Sequence, residues 1–212
     1  MAVPSPFATA VAKKRMWSLL LLLGLAGAQR RLAEDHQCAS VAFAPHTIVD
    51  TADNAASVFA VDVDGDGDLD VLSASSSDDT VAWYDDDGAV SFTTRIVSRL
   101  VNYARSVYAT DVDGDGDVDV VAVAYSDDSV FLFENDGAQS FRNHTVDDAA
   151  DGPLNCYAVD VDGDGAVDVL AASRNDDTVA WYANDGALTF AKAVISATPD
   201  HAHIKHARSA NV

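Results

Sequence analysis

The chain has 212 residues, 49% of them hydrophobic and 22% charged, with 13 Lys and Arg against 34 Asp and Glu, for a formal net charge of −21. The apolar fraction is that of a globular protein with a substantial core and excludes a disordered acidic tail. A field of this sign disfavours nucleic acid and anionic membrane surfaces as partners and favours multivalent cations.

At the amino end, Lys13, Lys14 and Arg15 precede the apolar run Met16 to Ala28, which is short for a membrane span and ends in the small residues Ala26, Gly27 and Ala28. This predicts a secretory signal over residues 1–28 and an extracellular protein; an uncleaved amino-terminal membrane anchor is the competing reading. Cleavage there removes three basic residues and no acidic one, leaving 10 against 34, or −24. Residues 29–42 read as a linker. The two cysteines, Cys38 and Cys156, would then sit where disulfides persist, and a bridge between them, a free buried thiol and a bridge to another chain all stay open. Asn143-His144-Thr145 is an N-glycosylation sequon, meaningful if the chain is exported.

Phe43 to Val49 (FAPHTIV) resembles Phe141 to Val146 (FRNHTV) and predicts an isolated strand. From there on the chain repeats itself. The segment DVDGDGDLD beginning at Asp62 recurs as DVDGDGDVD at Asp111 and DVDGDGAVD at Asp160, a period of 49 residues each time. Trp83, Leu132 and Trp181 keep the same register, as do Gly88, Gly137 and Gly186, and Phe92, Phe141 and Phe190.

Within each copy, short alternating strands are separated by turn residues, with no helical periodicity. The first copy predicts strands near Ser57–Val63, Asp70–Ser75, Thr80–Tyr84 and Ser91–Ser98, turning at Ser77-Asp78-Asp79 and at Asp86-Asp87-Gly88. The fold expected is all-β: bladed β-propeller-type repeats over 43–196, with three four-stranded blades (about 55–98, 104–147 and 153–196) plus a partial N-terminal strand. A flexible tail follows over 197–212. Three blades do not close a ring, so the propeller is open or completed by association, for instance of two chains into six blades.

The aspartate loops have the donor pattern of a calcium site. Ca²⁺ takes six to eight oxygens, and acidic residues at positions 1, 3 and 5, a Gly at 6 and a carbonyl at 7 wrap it. In the first loop these are Asp62, Asp64, Asp66, Gly67 and the carbonyl of Asp68. Position 12 holds Ser73, Ala122 or Ala171, so the closing carboxylate is expected at position 9: Asp70, Asp119 and Asp168. Ala166 replaces the position-7 Asp of the third loop, where only a backbone oxygen is needed.

DxDxDGxxD followed by VAWYxNDGxxxF resembles the FG-GAP-like or VCBS-type repeat, related to the calcium-binding blades of integrin α-subunit propellers. The resemblance spans roughly Phe43 to Ser196. It implies propeller blades and about three Ca²⁺ ions held by Asp62, Asp64, Asp66, Asp68 and Asp70; by Asp111, Asp113, Asp115, Asp117 and Asp119; and by Asp160, Asp162, Asp164, Ala166 and Asp168, position 7 acting through its carbonyl. The Phe-Gly and Gly-Ala-Pro segments of the integrin group are absent, the first strand reading SVFAVD, so integrin-like ligand recognition does not carry over.

These readings predict a secreted, calcium-binding recognition or adhesion module whose partner is an extracellular protein or glycan. The alternative is an accessory domain, with a carbohydrate-binding role, or a fragment domain of an extracellular hydrolase. No GxSxG, HExxH or Cys with a plausible His partner occurs, so no enzymatic activity is expected. Two further features invite ligands: Trp83, Tyr84, Trp181 and Tyr182, which could stack on sugar, and His201, His203 and His206, which could bind Zn²⁺ or Cu²⁺.

Overall fold

In the computed structural model, which describes residues 44–197, every regular element is a β-strand. The strands are β1 (Ala55–Val61), β2 (Asp70–Ser75), β3 (Thr80–Asp86), β4 (Phe92–Ser98), β5 (Ala104–Thr110), β6 (Asp119–Ala124), β7 (Ser129–Asn135), β8 (Phe141–Asp147), β9 (Pro153–Val159), β10 (Asp168–Ser173), β11 (Thr178–Asn184) and β12 (Phe190–Ala197). They form three antiparallel meanders of four strands, β1-β2-β3-β4, β5-β6-β7-β8 and β9-β10-β11-β12. The all-β bladed architecture expected from the repeat is what the chain adopts, and the sheets do not close into a ring.

The partial N-terminal strand does not form: residues 44–50 carry no strand, and Phe43 lies outside the described residues. Such a strand needs the free edge of a third blade strand. Here β3, β7 and β11 are each already paired with β4, β8 and β12, so no such edge is left. The signal segment, the linker, Cys38 and the histidine tail also lie outside the described residues.

Because the sheets stack face to face, the inner strands are covered on both sides, and alternation no longer separates core from solvent. All six residues of β6 are buried. The outer strands β4, β8 and β12 have one neighbour each; β4 and β12 are mostly exposed, and no residue of β8 is fully buried. One core cluster joins Leu72, Val81 and Trp83 of the first blade to Val107, Val120 and Phe133 of the second. The other joins Val121, Val130 and Leu132 of the second to Val169, Ala171 and Tyr182 of the third.

The two junctions use equivalent positions. Val107 N donates to Ser57 Oγ (3.4 Å) across the first, and Cys156 N to Ser106 Oγ (3.3 Å) across the second. Phe59, Tyr108 and Tyr157 form a column through all three blades, with ring centroids 4.7 and 4.4 Å apart. Asp79 and Asp128, in the turns after β2 and β6, take left-handed conformations (φ 57° and 51°). Their Oδ1 atoms accept the amides of Tyr103 (2.8 Å) and Gly152 (2.7 Å) and pin the link into the next blade.

Cys156 is a free thiol within the second junction, its Sγ 3.6 Å from Ser106 Oγ and 3.5 Å from Val121 O. Burial pushes its pKa up to about 12.

Leu132 is buried between two blades and Thr94 is exposed on β4. Leu132→Ala should therefore cost about 2–5 kcal/mol, measured by urea unfolding, and Thr94→Ala no more than about 0.5 kcal/mol.

Candidate metal centre

The loops between the first and second strands of each blade fold alike around their first aspartate, differing in that the position-5 amide goes to Asp62 in the first loop and to Asp113 and Asp162 in the others. Asp62 Oδ1 accepts the amide of Gly65 (2.8 Å) and its Oδ2 that of Gly67 (2.9 Å). Asp111 takes Gly114 (2.7 Å) and Gly116 (3.0 Å), and Asp160 takes Gly163 (2.7 Å) and Gly165 (3.1 Å). The position-5 carboxylates turn the chain again, Asp66, Asp115 and Asp164 accepting the amides two residues on at 2.9, 2.8 and 2.8 Å. Gly67, Gly116 and Gly165 sit at φ 96–98°, a conformation in which a β-carbon is strained. Position 6 is thus glycine for backbone reasons.

The structure brings Asp62, Asp64 and Asp66 together, and likewise Asp111, Asp113 and Asp115; in each group, ligand-capable oxygens lie within 4.8 Å of one another. In the third loop the group is Asp160, Asp162 and Asp168, so position 9 replaces position 5 and Asp164 stands outside. Each triad could hold a metal ion.

Asp70, Asp119 and Asp168, at position 9, are buried and hold the loop to the sheet. Asp70 Oδ2 accepts Val63 N (3.0 Å) and Oδ1 accepts Asp86 N (2.9 Å) at the end of β3. Asp119 does the same with Val112 (2.9 Å) and Asn135 (2.8 Å), and Asp168 with Val161 (3.0 Å) and Asn184 (2.8 Å). This clamp is a role that the ligand pattern alone did not reveal.

Position 7 also does more than lend a carbonyl. The Asp68 and Asp117 side chains lie against Gly88 and Gly137 in the following turn, where a β-carbon would collide with their Oδ2. Ala166 makes no such approach, and Gly186 faces open space.

The electrostatics are those of a site short of positive charge. Burial, then Asp66 and Asp70, raises the Asp64 pKa; burial, then the neighbouring Asp115 and Asp111, raises that of Asp113. Asp64 Oδ2 accepts Gln139 Nε2 of the next blade (3.1 Å), while its Oδ1 is buried with no hydrogen-bond donor. An all-oxygen donor set with an unsatisfied buried oxygen fits a hard divalent cation. The aromatic pairs do not form an open platform: Trp83 and Tyr84 are 1% and 4% exposed and Tyr182 is 1% exposed, Trp83 packing in the core between the first and second blades and Tyr182 in that between the second and third.

The model of one protein family, described as an FG-GAP-like repeat, matches residues 62–122, 111–171 and 160–207, each match starting on the first aspartate of a loop. A comparison with curated proteins gives no match.

Burial raises the Asp119 pKa from 3.8 to about 6, the amides of Asn135 and Val112 opposing it. Between those values the folded chain holds a proton that the unfolded chain has lost, so metal-free stability falls as pH rises through that window. Asp147 does not offset this: its hydrogen bonds to Lys192 and Tyr182 outweigh its burial and lower its pKa, so its contribution is lost only at lower pH. In EDTA, melting at pH 5 should exceed melting at pH 7.5 by about 1 kcal/mol, or roughly 2–4 °C.

Proposed function

The chain belongs to the FG-GAP-like repeat family, and on that footing we propose that it is a secreted, calcium-stabilised recognition or adhesion module rather than an enzyme. The observation that carries this reading is the triple recurrence, at one end of the blades, of a carboxylate triad on an amide-braced loop. Asp62, Asp64, Asp66, the Asp68 carbonyl and Asp70 would hold the first ion, with the equivalent residues holding the others. Calcium supplies the positive charge that lets five like charges within nine residues, or four in the third loop, order. The chain's own residues do the rest: Asp62 shapes the loop and Asp70 fixes it to the sheet. Asn143, exposed on β8, is accessible for glycosylation on this reading.

The partner we propose first is a second copy. Val107 is 4% exposed because the first blade covers it, whereas Val58, its equivalent on the first blade, is 69% exposed. At the other end Leu170, Val179 and Trp181 are less covered than their equivalents Val121, Val130 and Leu132. Val58 on one face and Leu170, Val179 and Trp181 on the other hold positions that the internal junctions cover, and through these residues one chain's first blade would meet another's third.

At calcium near 100 times a dissociation constant of order 10⁻⁴ M, each filled site should add about 2.7 kcal/mol of stability. Asp66→Asn, Asp115→Asn and Asp164→Asn keep an oxygen for the loop amide but lose the charge. Each should reduce the calcium-dependent rise in melting temperature, and no reduction in any of the three would exclude these loops. Light scattering in calcium should give twice the 22.3 kDa chain mass, less any removed signal segment, with Val58→Asp returning it to a single chain.

A further inference from the structure

At the end of the blades opposite the aspartate loops, a cleft of about 200 Å³ lies between the second and third blades, lined by Tyr103, Arg105, Tyr125, Ser126, Leu154 and Arg174. It has no carboxylate in its lining, in a chain of net charge −21. The described basic residues are Arg95, Arg99, Arg105, Arg142, Arg174 and Lys192. Arg95, Arg142 and Lys192 pair with Asp85, Glu134 and Asp147. Arg105 and Arg174 make no ion pair among the described residues, and both face this cleft. Asp127 and Asp128, in the adjoining turn, are directed elsewhere, accepting Asn102 Nδ2 (3.0 Å) and the Gly152 amide (2.7 Å).

The walls are held by the backbone. Tyr125 N donates to Tyr103 O (3.2 Å) and Arg174 N to Gly152 O (3.0 Å). Arg105 sits where the β5–β6 register shifts, a bulge that re-aims the side chain. Its guanidinium carbon is 5.7 Å from the Tyr103 ring centroid, and the Tyr103 and Tyr125 rings are 5.7 Å apart. Its Nε is buried with no acceptor. An unsatisfied buried N–H of a charged group is costly, and an oxyanion would satisfy it.

The repeat supplies its own control. One period earlier, the positions of Tyr103, Arg105 and Tyr125 hold Asn54, Ala56 and Ser76. The blade therefore folds without two aromatic rings and a guanidinium at these points, and their presence at one junction alone answers to something other than folding.

We propose that this cleft binds an acidic monosaccharide, its carboxylate on Arg105 and Arg174 and its ring against Tyr103 and Tyr125. The volume, below the roughly 300–1,000 Å³ of sites for drug-sized ligands, suits one residue-sized group. The Ser126 hydroxyl, and the Tyr125 hydroxyl, which donates to Asn175 Oδ1 (3.3 Å) and whose oxygen can still accept, favour a hydroxylated ring over an acidic amino-acid side chain, which has no hydroxyl to offer them. The inference goes beyond the calcium reading and does not depend on it, since the two sites lie at opposite ends of the blades.

The test is a titration of the full chain, in calcium, with glucuronate, glucose and glutamate, followed by amide NMR shifts. Glucuronate should give saturable shifts at residues 103–105, 125–126 and 174, with glucose and glutamate at least tenfold weaker. Arg105→Gln and Arg174→Gln should each weaken glucuronate at least tenfold; Arg174 is exposed, so its variant keeps the test valid if the first does not fold. Absence of saturable shifts, equal binding of glucose or glutamate, or unchanged binding in the folded variants would overturn the proposal. None of these outcomes bears on the calcium-dependent melting that tests the loops.

Discussion

The structure turns on three buried carboxylates, Asp70, Asp119 and Asp168, each bridging two backbone amides from segments that no sheet hydrogen bond connects. One amide belongs to the aspartate loop and the other to the end of the blade's third strand. A neutral side chain could take at most part of this arrangement, because both oxygens must accept. The result is a loop attached to the rigid part of the sheet at its base while its remaining carboxylates crowd together at the rim. Charge repulsion is thereby concentrated at one place per blade, where one cation can neutralise it.

Much of this was legible in the sequence because the repeat allowed each position to be read three times. The 49-residue period located the strands to within about two residues, and the exchange of Asp for Ala166 marked position 7 as different. Other features depended on tertiary context. Trp83 and Tyr84 read as rings that could stack on sugar, but the folded blade buries both. The resemblance of Phe43–Val49 to a fourth strand was real as a pattern, yet a strand forms only where an edge is available, and each third strand had already paired locally. The place of Asp168 rather than Asp164 in the third triad depends on side-chain placement that no spacing encodes.

The junctions between blades show why the unit can be repeated. A serine hydroxyl, a ring in the aromatic column and a small set of aliphatic side chains recur at matching positions, so each blade meets the next through one pattern. Against that regular background, residues that break the repeat stand out, and Tyr103, Arg105 and Tyr125 do so at a single junction. In a repetitive fold, departure from the repeat separates what the scaffold requires from what is added to it.

The outer strands have a consequence for handling the protein. β4, β8 and β12 each present a row of backbone groups without a neighbouring strand, the geometry that recruits further strands from other molecules. β4 carries exposed Thr93, Thr94 and Arg95, and β8 carries Arg142 and Asn143, side chains that discourage such pairing. β12 reads FAKAVISA, with Val194 and Ile195 exposed and Lys192 as its one charge. Colloidal stability is therefore unequal around the molecule, and the rim of the third blade is the place from which ordered aggregation would start.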